Sequence, residues 1–323
     1  MKIIHPYVEL IQQEPGFDGI MKHIERCGRT CYKSEDKITD DSADTFVANL
    51  IKNKHYAMLE HGTVYLAYKT KWLGDDFVDK YKNNHYSVVK FVDCSKKDKT
   101  PDGWVQRVYY ITTNYRVLEE NSWLDDLQYI CEPTEFHVPR ITLKFVTNIG
   151  VTREGNRMRA NSIAEESTRY CNYTKDKFGG ELNIVPPVWM SDEDSEYAIK
   201  HWDQDQWLTY LCDTLDTRNP DFFNCDAIDW YGMAIAFAEI AYTQLIRLGW
   251  TPQQAREVLP LATKSEVVYT AFPHQWKHFF DLRLFGTTGK PHPNMQEIAE
   301  LAQGVLEENG LWELIYPSDD KVQ

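Results

Sequence analysis

Arg157-Met158-Arg159-Ala160-Asn161-Ser162-Ile163-Ala164-Glu165-Glu166-Ser167-Thr168-Arg169-Tyr170 is the stretch on which the reading of this chain turns. Arg157, Arg159 and Arg169 fall inside it and Arg153 lies just upstream, in a sequence whose formal net charge is −14. Planar guanidinium forks match the paired oxygens of a phosphate better than an ammonium does, so the cluster is read as an anion site. A plainer alternative stays open on spacing alone: the same arginines pair with Glu154, Glu165 and Glu166 along a solvated helix face. Ser162 and Glu165 also satisfy the capping-box spacing, which predicts a helix beginning at Ser162. The free amides and partial positive charge of that helix start would seat a phosphate next to Ser167 and Arg169.

Outside this run, composition narrows the classes. The chain has 323 residues, 42% hydrophobic and 26% charged, which is globular rather than disordered, and 13% aromatic, which supplies stacking surfaces. A net charge of −14 repels nucleic acid and anionic membrane at long range, so any phosphate ligand needs local arginines. Seven cysteines, an odd number scattered along the chain, do not form a disulfide framework and point to a reducing, cytoplasmic compartment. Met1-Lys2-Ile3-Ile4-His5-Pro6 lacks the apolar core of a secretory signal, and no later apolar run approaches the ~20 residues that span a bilayer. Cys27 and Cys31 lack a second close pair and His23 completes no zinc spacing, so no metal is assigned.

Periodicity places the motifs. Ala43, Phe46, Val47, Leu50 and Ile51 after Asp40-Asp41 predict a short helix. Met58 to Tyr68 alternates with period two and predicts a strand, as do Ile141, Leu143 and Phe145, with Gly150 read as a sharp turn after Asn148-Ile149. Ser191 opens a helix carrying Ala198, Trp202 and Leu208, Ile228 to Leu248 forms a long helix stopped by Gly249, and Thr251-Pro252-Gln253-Gln254 restarts one. Glu266 to Phe272 predicts a strand, followed by a helix from Pro273 through Trp276, Phe279 and Phe280. Trp230, Tyr231, Phe237 and Tyr242 are read as core. The expected class is α+β (mixed α/β) with a mainly helical second half, in one domain over 1–323. A surface insertion is expected around 171–200, with Gly179-Gly180 and Pro186-Pro187 bracketing a hairpin or lid.

Taken together, four separated elements resemble the flavin-dependent thymidylate synthases (ThyX). The central run matches the family's Arg-His-Arg, serine, acidic pair, Ser-x-Arg spacing, with Met158 in place of histidine and Ala164 where asparagine is common. Leu59-Glu60-His61-Gly62-Thr63 is similar to the early Glu-His element. Ala255-Arg256-Glu257-Val258-Leu259-Pro260 is similar to the arginine-leucine-proline turn. His278-Phe279-Phe280-Asp281-Leu282-Arg283 with His292-Pro293-Asn294-Met295 is similar to the final block, and Phe272 stands where the family has a flavin-contacting asparagine.

What the resemblance implies is a ThyX-like fold with a central, mostly antiparallel sheet flanked by helices. It implies reductive methylation of dUMP to dTMP, with FAD as redox carrier and methylenetetrahydrofolate and NADPH as co-substrates. The implied dUMP contacts are Glu154, Arg157, Glu165, Glu166, Ser167, Thr168, Arg169, Arg256 and Arg283, with Arg283 activating the base. The implied FAD contacts are His61, Thr63, Arg157, Met158, Arg159, Glu165, His274, His278 and His292. A homotetramer with sites between subunits is implied too, Arg256 serving a neighbour's site. None of the cysteines has the Pro-Cys-His setting of a folate-only synthase, and no Gly-x-Gly-x-x-Gly fingerprint offers a Rossmann turn for the flavin. Met158 and Phe272 motivate one alternative, a flavin- and folate-dependent pyrimidine nucleotide hydroxymethylase. A second is a non-catalytic nucleotide-binding oligomer that has lost its flavin.

Overall fold

The computed structural model describes residues 1–70, 75–93, 107–158, 161–201 and 225–318. Arg159, Trp202 and Leu208 lie outside the described residues. In chain order the elements are β1 (Lys2–Ile3), β2 (Tyr7–Leu10), α1 (Gly16–Thr30), α2 (Ser42–Lys52), β3 (Thr63–Thr70), α3 (Asp76–Lys82), β4 (Val88–Asp93), β5 (Arg107–Asn114), α4 (Tyr115–Glu120), β6 (Ile141–Asn148) and α5 (Ile149–Gly155). There follow β7 (Ser162–Glu165), β8 (Asn183–Ile184), α6 (Asp192–His201), α7 (Ala227–Arg247), α8 (Pro252–Ala255), β9 (Lys264–Ala271), α9 (Pro273–Arg283), α10 (Pro293–Glu308) and α11 (Trp312–Ile315).

The class is α+β, with antiparallel sheets. One sheet runs β2-β6-β9-β7, a second runs β3-β5-β4, and β1 pairs with β8 in parallel. β6 and β9 are buried along their whole length, and their alternation gives the first sheet two unlike faces. Ile141, Leu143, Phe145, Val267, Tyr269 and Ala271 pack on Trp276, Phe279 and Phe280 of α9 and on α10. The opposite face carries Thr142, Lys144, Glu266 and Thr270, buried beneath α1 and the 3-10 turn Tyr56–His61. A buried polar face must satisfy its own hydrogen bonds, and here it does so largely through side chains from distant segments.

Several expectations are met: α2, the strands β6 and β9, the helix at Asp192, the long α7 ended by Gly249 at φ +95°, and α9. Others are corrected. Ser162–Glu165 is not a helix start but a strand, pairing with β9 through Ser162 with Thr270 and Ala164 with Val268. The Ser-x-x-Glu spacing signals a helix only when the two side chains serve the local amides. Here Arg140 bonds Ser162 and Asn156 bonds Glu165, while Ala164 is fully buried. The strand expected from Met58 begins only at Thr63, because residues 56–61 wind into a 3-10 turn. Gly150 is not a turn residue; it lies inside α5, whose first turn is capped by Asn148 accepting from the Val151 amide.

No hairpin forms between Gly179 and Pro187. Asn183–Ile184 adds to β1 instead, and Leu182 and Ile184 join a buried cluster with Cys171, Tyr173 and Tyr242. Of the aromatic stripe on α7, Tyr242 is core, whereas Trp230 and Phe237 are 48% and 54% exposed.

Candidate functional site

α5 is the wall around which the site is organised. Ile149 and Arg153, four residues apart, line a cleft of about 510 Å³ on one side, and Val151 and Glu154 line a smaller one of about 300 Å³ on the other. Leu261 borders both.

The far wall of the larger cleft is made by the chain leaving β7. The Glu166 amide donates to the Glu266 carbonyl at 2.7 Å and the Ser167 amide to the Cys31 carbonyl at 3.0 Å. A turn then closes, the Cys171 amide donating to the Ser167 carbonyl at 2.9 Å and the Arg169 amide to Ser167 Oγ at 3.3 Å. Arg256 comes in from the segment after α8, its Nη1 donating to Thr168 Oγ1 at 3.4 Å. Arg169 Nη2 reaches Gln253 Oε1 at 3.5 Å, and Arg256 Nε lies 3.8 Å from Glu257. These are long contacts. Arg153, Arg169 and Arg256 thus present three guanidinium groups to one cleft that Glu165, Glu166 and Glu257 also line. Of these carboxylates, among the described residues, only Glu257 pairs with one of the three arginines, at 3.8 Å from Arg256, while Glu165 and Glu166 are bonded to Asn156 and Lys264.

The glutamates of the run are committed elsewhere. Glu165 accepts from Asn156 Nδ2 at 2.8 Å, and Asn156 in turn accepts from the Tyr269 hydroxyl at 2.9 Å. Glu166 is buried, held by Lys264 at 2.8 Å and the Tyr173 hydroxyl at 3.2 Å. Burial pushes its carboxyl above the usual range against the pull of Lys264. Behind it, Glu266 meets Lys33 at 2.6 Å, Lys144 at 2.7 Å and Lys264. Burial would raise Glu266, but the three ammonium groups outweigh it and hold the carboxyl well below its usual range. The expected alternative, a solvated ladder of these glutamates with Arg153, Arg157 and Arg169, is not what the described residues form.

Arg283 ends α9 on the smaller cleft's side. Its Nη2 donates to the Glu154 carbonyl at 3.0 Å and its Nη1 lies 3.4 Å from the Glu154 carboxylate. Arg157 is exposed just beyond α5. His292 packs edge-on against Trp189, 5.8 Å between centroids, at the smaller cleft.

The residues expected at a flavin are more dispersed. His61 is fully buried, its Nδ1 bonded to Thr270 Oγ1 at 2.8 Å. Burial, then the neighbouring His23 and Arg140, keep it neutral by lowering it well below the ordinary histidine value. Thr63 is buried beside Arg140. Met158 is absorbed into the apolar core on α9 and α10, so its side chain faces no cleft. His274 is exposed and stacks on Phe272, and His278 is exposed on α9.

Sequence reasoning missed Arg140, Lys33, Lys144, Lys264 and Glu266. A signal existed: lysines and a glutamate at alternate positions of strands with no exposed face. Among the described residues, no group of three or more His, Cys, Asp or Glu side chains is placed to hold a metal ion, and no described helix is long and apolar enough to cross a membrane.

A family model described as thymidylate synthase complementing protein matches residues 81–312. Similar solved structures include the UMP/dUMP methylase PolB from Streptomyces cacaoi bound with 5-Br dUMP, at 15% identity over 95% of this chain and 93% of that one, TM-score 0.40. Thymidylate Synthase X from Helicobacter pylori with FAD and dUMP is 12% identical over 96% and 99%, TM-score 0.38. At such distances neither likeness carries a residue's role across. Comparison with curated proteins finds no match. The family match spans α5, the Ser167–Arg169 turn, Arg256 and Arg283, and the chain belongs to the thymidylate synthase complementing protein family.

Proposed function

We propose that this chain is a flavin-dependent thymidylate synthase that binds dUMP with its phosphate in the larger cleft and converts it reductively to dTMP. The observation that carries this is the convergence of Arg153, Arg169 and Arg256 on the Ser167–Arg169 turn, in a chain of net charge −14, with two of the three glutamates of the cleft bonded to Asn156 and Lys264 rather than to these arginines. Guanidinium forks, a serine and a threonine hydroxyl are a phosphate's partners. Glu165, oriented by Asn156, contacts the sugar or base, and Arg283 supplies a fixed cation where negative charge develops on the pyrimidine.

Flavin is supported at one point of the chain. Both amide atoms of Asn161, next to Ser162, are buried without a hydrogen-bond partner, and His61 Nε2 has no side-chain partner and only the Ile163 backbone nearby; a ring edge with mixed donors and acceptors satisfies such a set. The residues present fit the group there. Bound flavin supplies the reducing equivalents, with methylenetetrahydrofolate as carbon donor and NADPH as reductant. A thiol nucleophile is disfavoured at Cys171 and Cys31, beside the larger cleft's turn: burial raises Cys171 to about 12 and Cys31 to about 11.

Arg256 lies beside Thr168 of its own chain, whereas Glu154 and Arg283 are across α5 from the phosphate cleft. That division favours a site shared between subunits, within the homotetramer the family resemblance implies, in which Arg283, rather than Arg256, completes a neighbour's site. Complementation of a thymidine-requiring bacterium tests the activity: growth with the wild type and none with Arg283→Ala is expected, and no growth with a folded wild type overturns it. Met158 and Phe272, the two departures from the family's pattern, motivate a second reading, transfer of a hydroxymethyl group. A product of the mass of dTMP removes it.

A further inference from the structure

Arg140, just ahead of β6, belongs to none of the sequence motifs, yet its side chain joins four segments. Nη1 donates to the Glu60 carbonyl at 2.7 Å and lies 3.5 Å from Thr63 Oγ1. Nη2 donates to Ser162 Oγ at 2.7 Å and to the Thr270 carbonyl at 3.4 Å. Ser162 Oγ also reaches the Glu60 carbonyl at 3.3 Å, and the guanidinium lies over the Phe272 ring, 5.7 Å from its centroid. No ion pair with a carboxylate neutralises it among the described residues, since the Glu60 carboxylate is taken by Arg116.

A cation held by carbonyls and hydroxyls alone is costly unless something else needs it there. Buried atoms near it without a hydrogen-bond partner include His61 Nε2, His23 Nδ1 and the Asn161 amide, the last one residue from Ser162, and His61 also meets the Ile163 backbone. We propose that Arg140 is the positioning residue of the flavin half of the site: it ties the turn carrying His61 and Thr63 to Ser162 and Thr270, and so fixes the His61 and Asn161 atoms where the ring binds. This rests on the flavin reading above. The fork geometry is required, because a lysine ammonium cannot reach carbonyls and hydroxyls on three segments at once.

The test is the separate measurement of FAD and dUMP binding to purified full-length protein, by flavin fluorescence quenching and by calorimetry. Arg140→Lys, folded by its melting curve, is expected to weaken FAD by roughly tenfold or more, the scale of losing hydrogen bonds to a charged group, while dUMP binding is unchanged. Unaltered FAD binding, or equal weakening of both ligands, overturns the proposal. Should Arg140→Lys fail to fold, Ser162→Ala removes one acceptor of the fork and must weaken FAD selectively; if it does not, the proposal fails. A wild type that takes up no FAD sinks the flavin reading and this inference with it, an outcome distinct from a flavin-binding wild type with an indifferent variant.

Discussion

Arg256 Nη1 donates to Thr168 Oγ1 at 3.4 Å, closing the larger cleft, where the phosphate is proposed to bind, from a segment far along the chain. Arg256 is half-buried and Arg169 is exposed, and neither contributes to a core, so both can be removed without unfolding the protein. Arg256→Ala and Arg169→Ala are each expected to weaken dUMP roughly 10- to 100-fold, since a hydrogen bond to a charged group is worth about 1.5–3 kcal/mol. Melting temperatures should not move. Binding should also weaken as salt rises, because the charges are open to solvent. Calorimetry at two ionic strengths checks both; affinity indifferent to either arginine would move the phosphate elsewhere.

The Glu154–Arg283 pair lies across α5 from that cleft, and this separation makes a mixing experiment decisive. At dUMP concentrations that do not saturate the variants, Arg256→Ala and Arg283→Ala should each be strongly impaired alone, the first through dUMP binding and the second by about 10²–10³-fold in rate if it stabilises charge on the base. Mixed after dissociation and reassembly, they should regain activity, because some interfaces then pair an intact phosphate half with an intact Arg283. Absence of recovery would mean that both halves serve one chain's own site.

How far the sequence disclosed this arrangement differs between the two halves. Ser167, Thr168 and Arg169 were legible from the short spacing of the central run and Arg256 only from its likeness to the family's arginine-leucine-proline turn, and the fold brings all four into one cleft. The strand Ser162–Glu165 was not. Its Ser-x-x-Glu pattern is local, whereas what decides its conformation is pairing with β9, remote in sequence. Arg140 shows the same limit: a single arginine before an apolar alternation looks like an exposed strand end until the turn at Glu60 and the strand at Thr270 are seen to meet on it. Met158 was read as a flavin contact from its place in the run, but its apolar side chain follows the core.

The buried polar face of β6 and β9 has a consequence for acid stability. His23 Nε2 shares a hydrogen bond with Thr142 Oγ1 at 3.0 Å, and burial followed by the charge of Arg140 lowers its pKa to about 4 from an unfolded 6.5. The folded value lies below the unfolded one, so folding favours the neutral ring. Its contribution is fully present above pH 6.5 and is lost as pH falls from 6.5 to about 4, amounting to about 3 kcal/mol. His61 acts in the same direction. His23→Asn should therefore flatten the dependence of melting temperature on pH across this window, whatever it does to stability at neutral pH. An unchanged slope would show that His23 is not the group responsible.

Gly155 offers a prediction that links packing to the nucleotide. A Cβ at this position would lie 2.5 Å from the Tyr269 hydroxyl, too close for any real contact. That hydroxyl donates to Asn156, and Asn156 donates to Glu165 in the wall of the phosphate cleft. Gly155→Ala must displace the tyrosine ring within a close-packed core, at about 1–3 kcal/mol, and should also release Glu165 from its orientation. Tyr269→Phe in the same chain removes the clashing atom, so the double variant should recover much of the lost stability. It should not recover dUMP affinity, because the relay from Tyr269 through Asn156 to Glu165 is still broken. Thermal melting and dUMP calorimetry on the two single variants and the double variant separate these effects. Affinity restored together with stability would show that Glu165 is held without the relay.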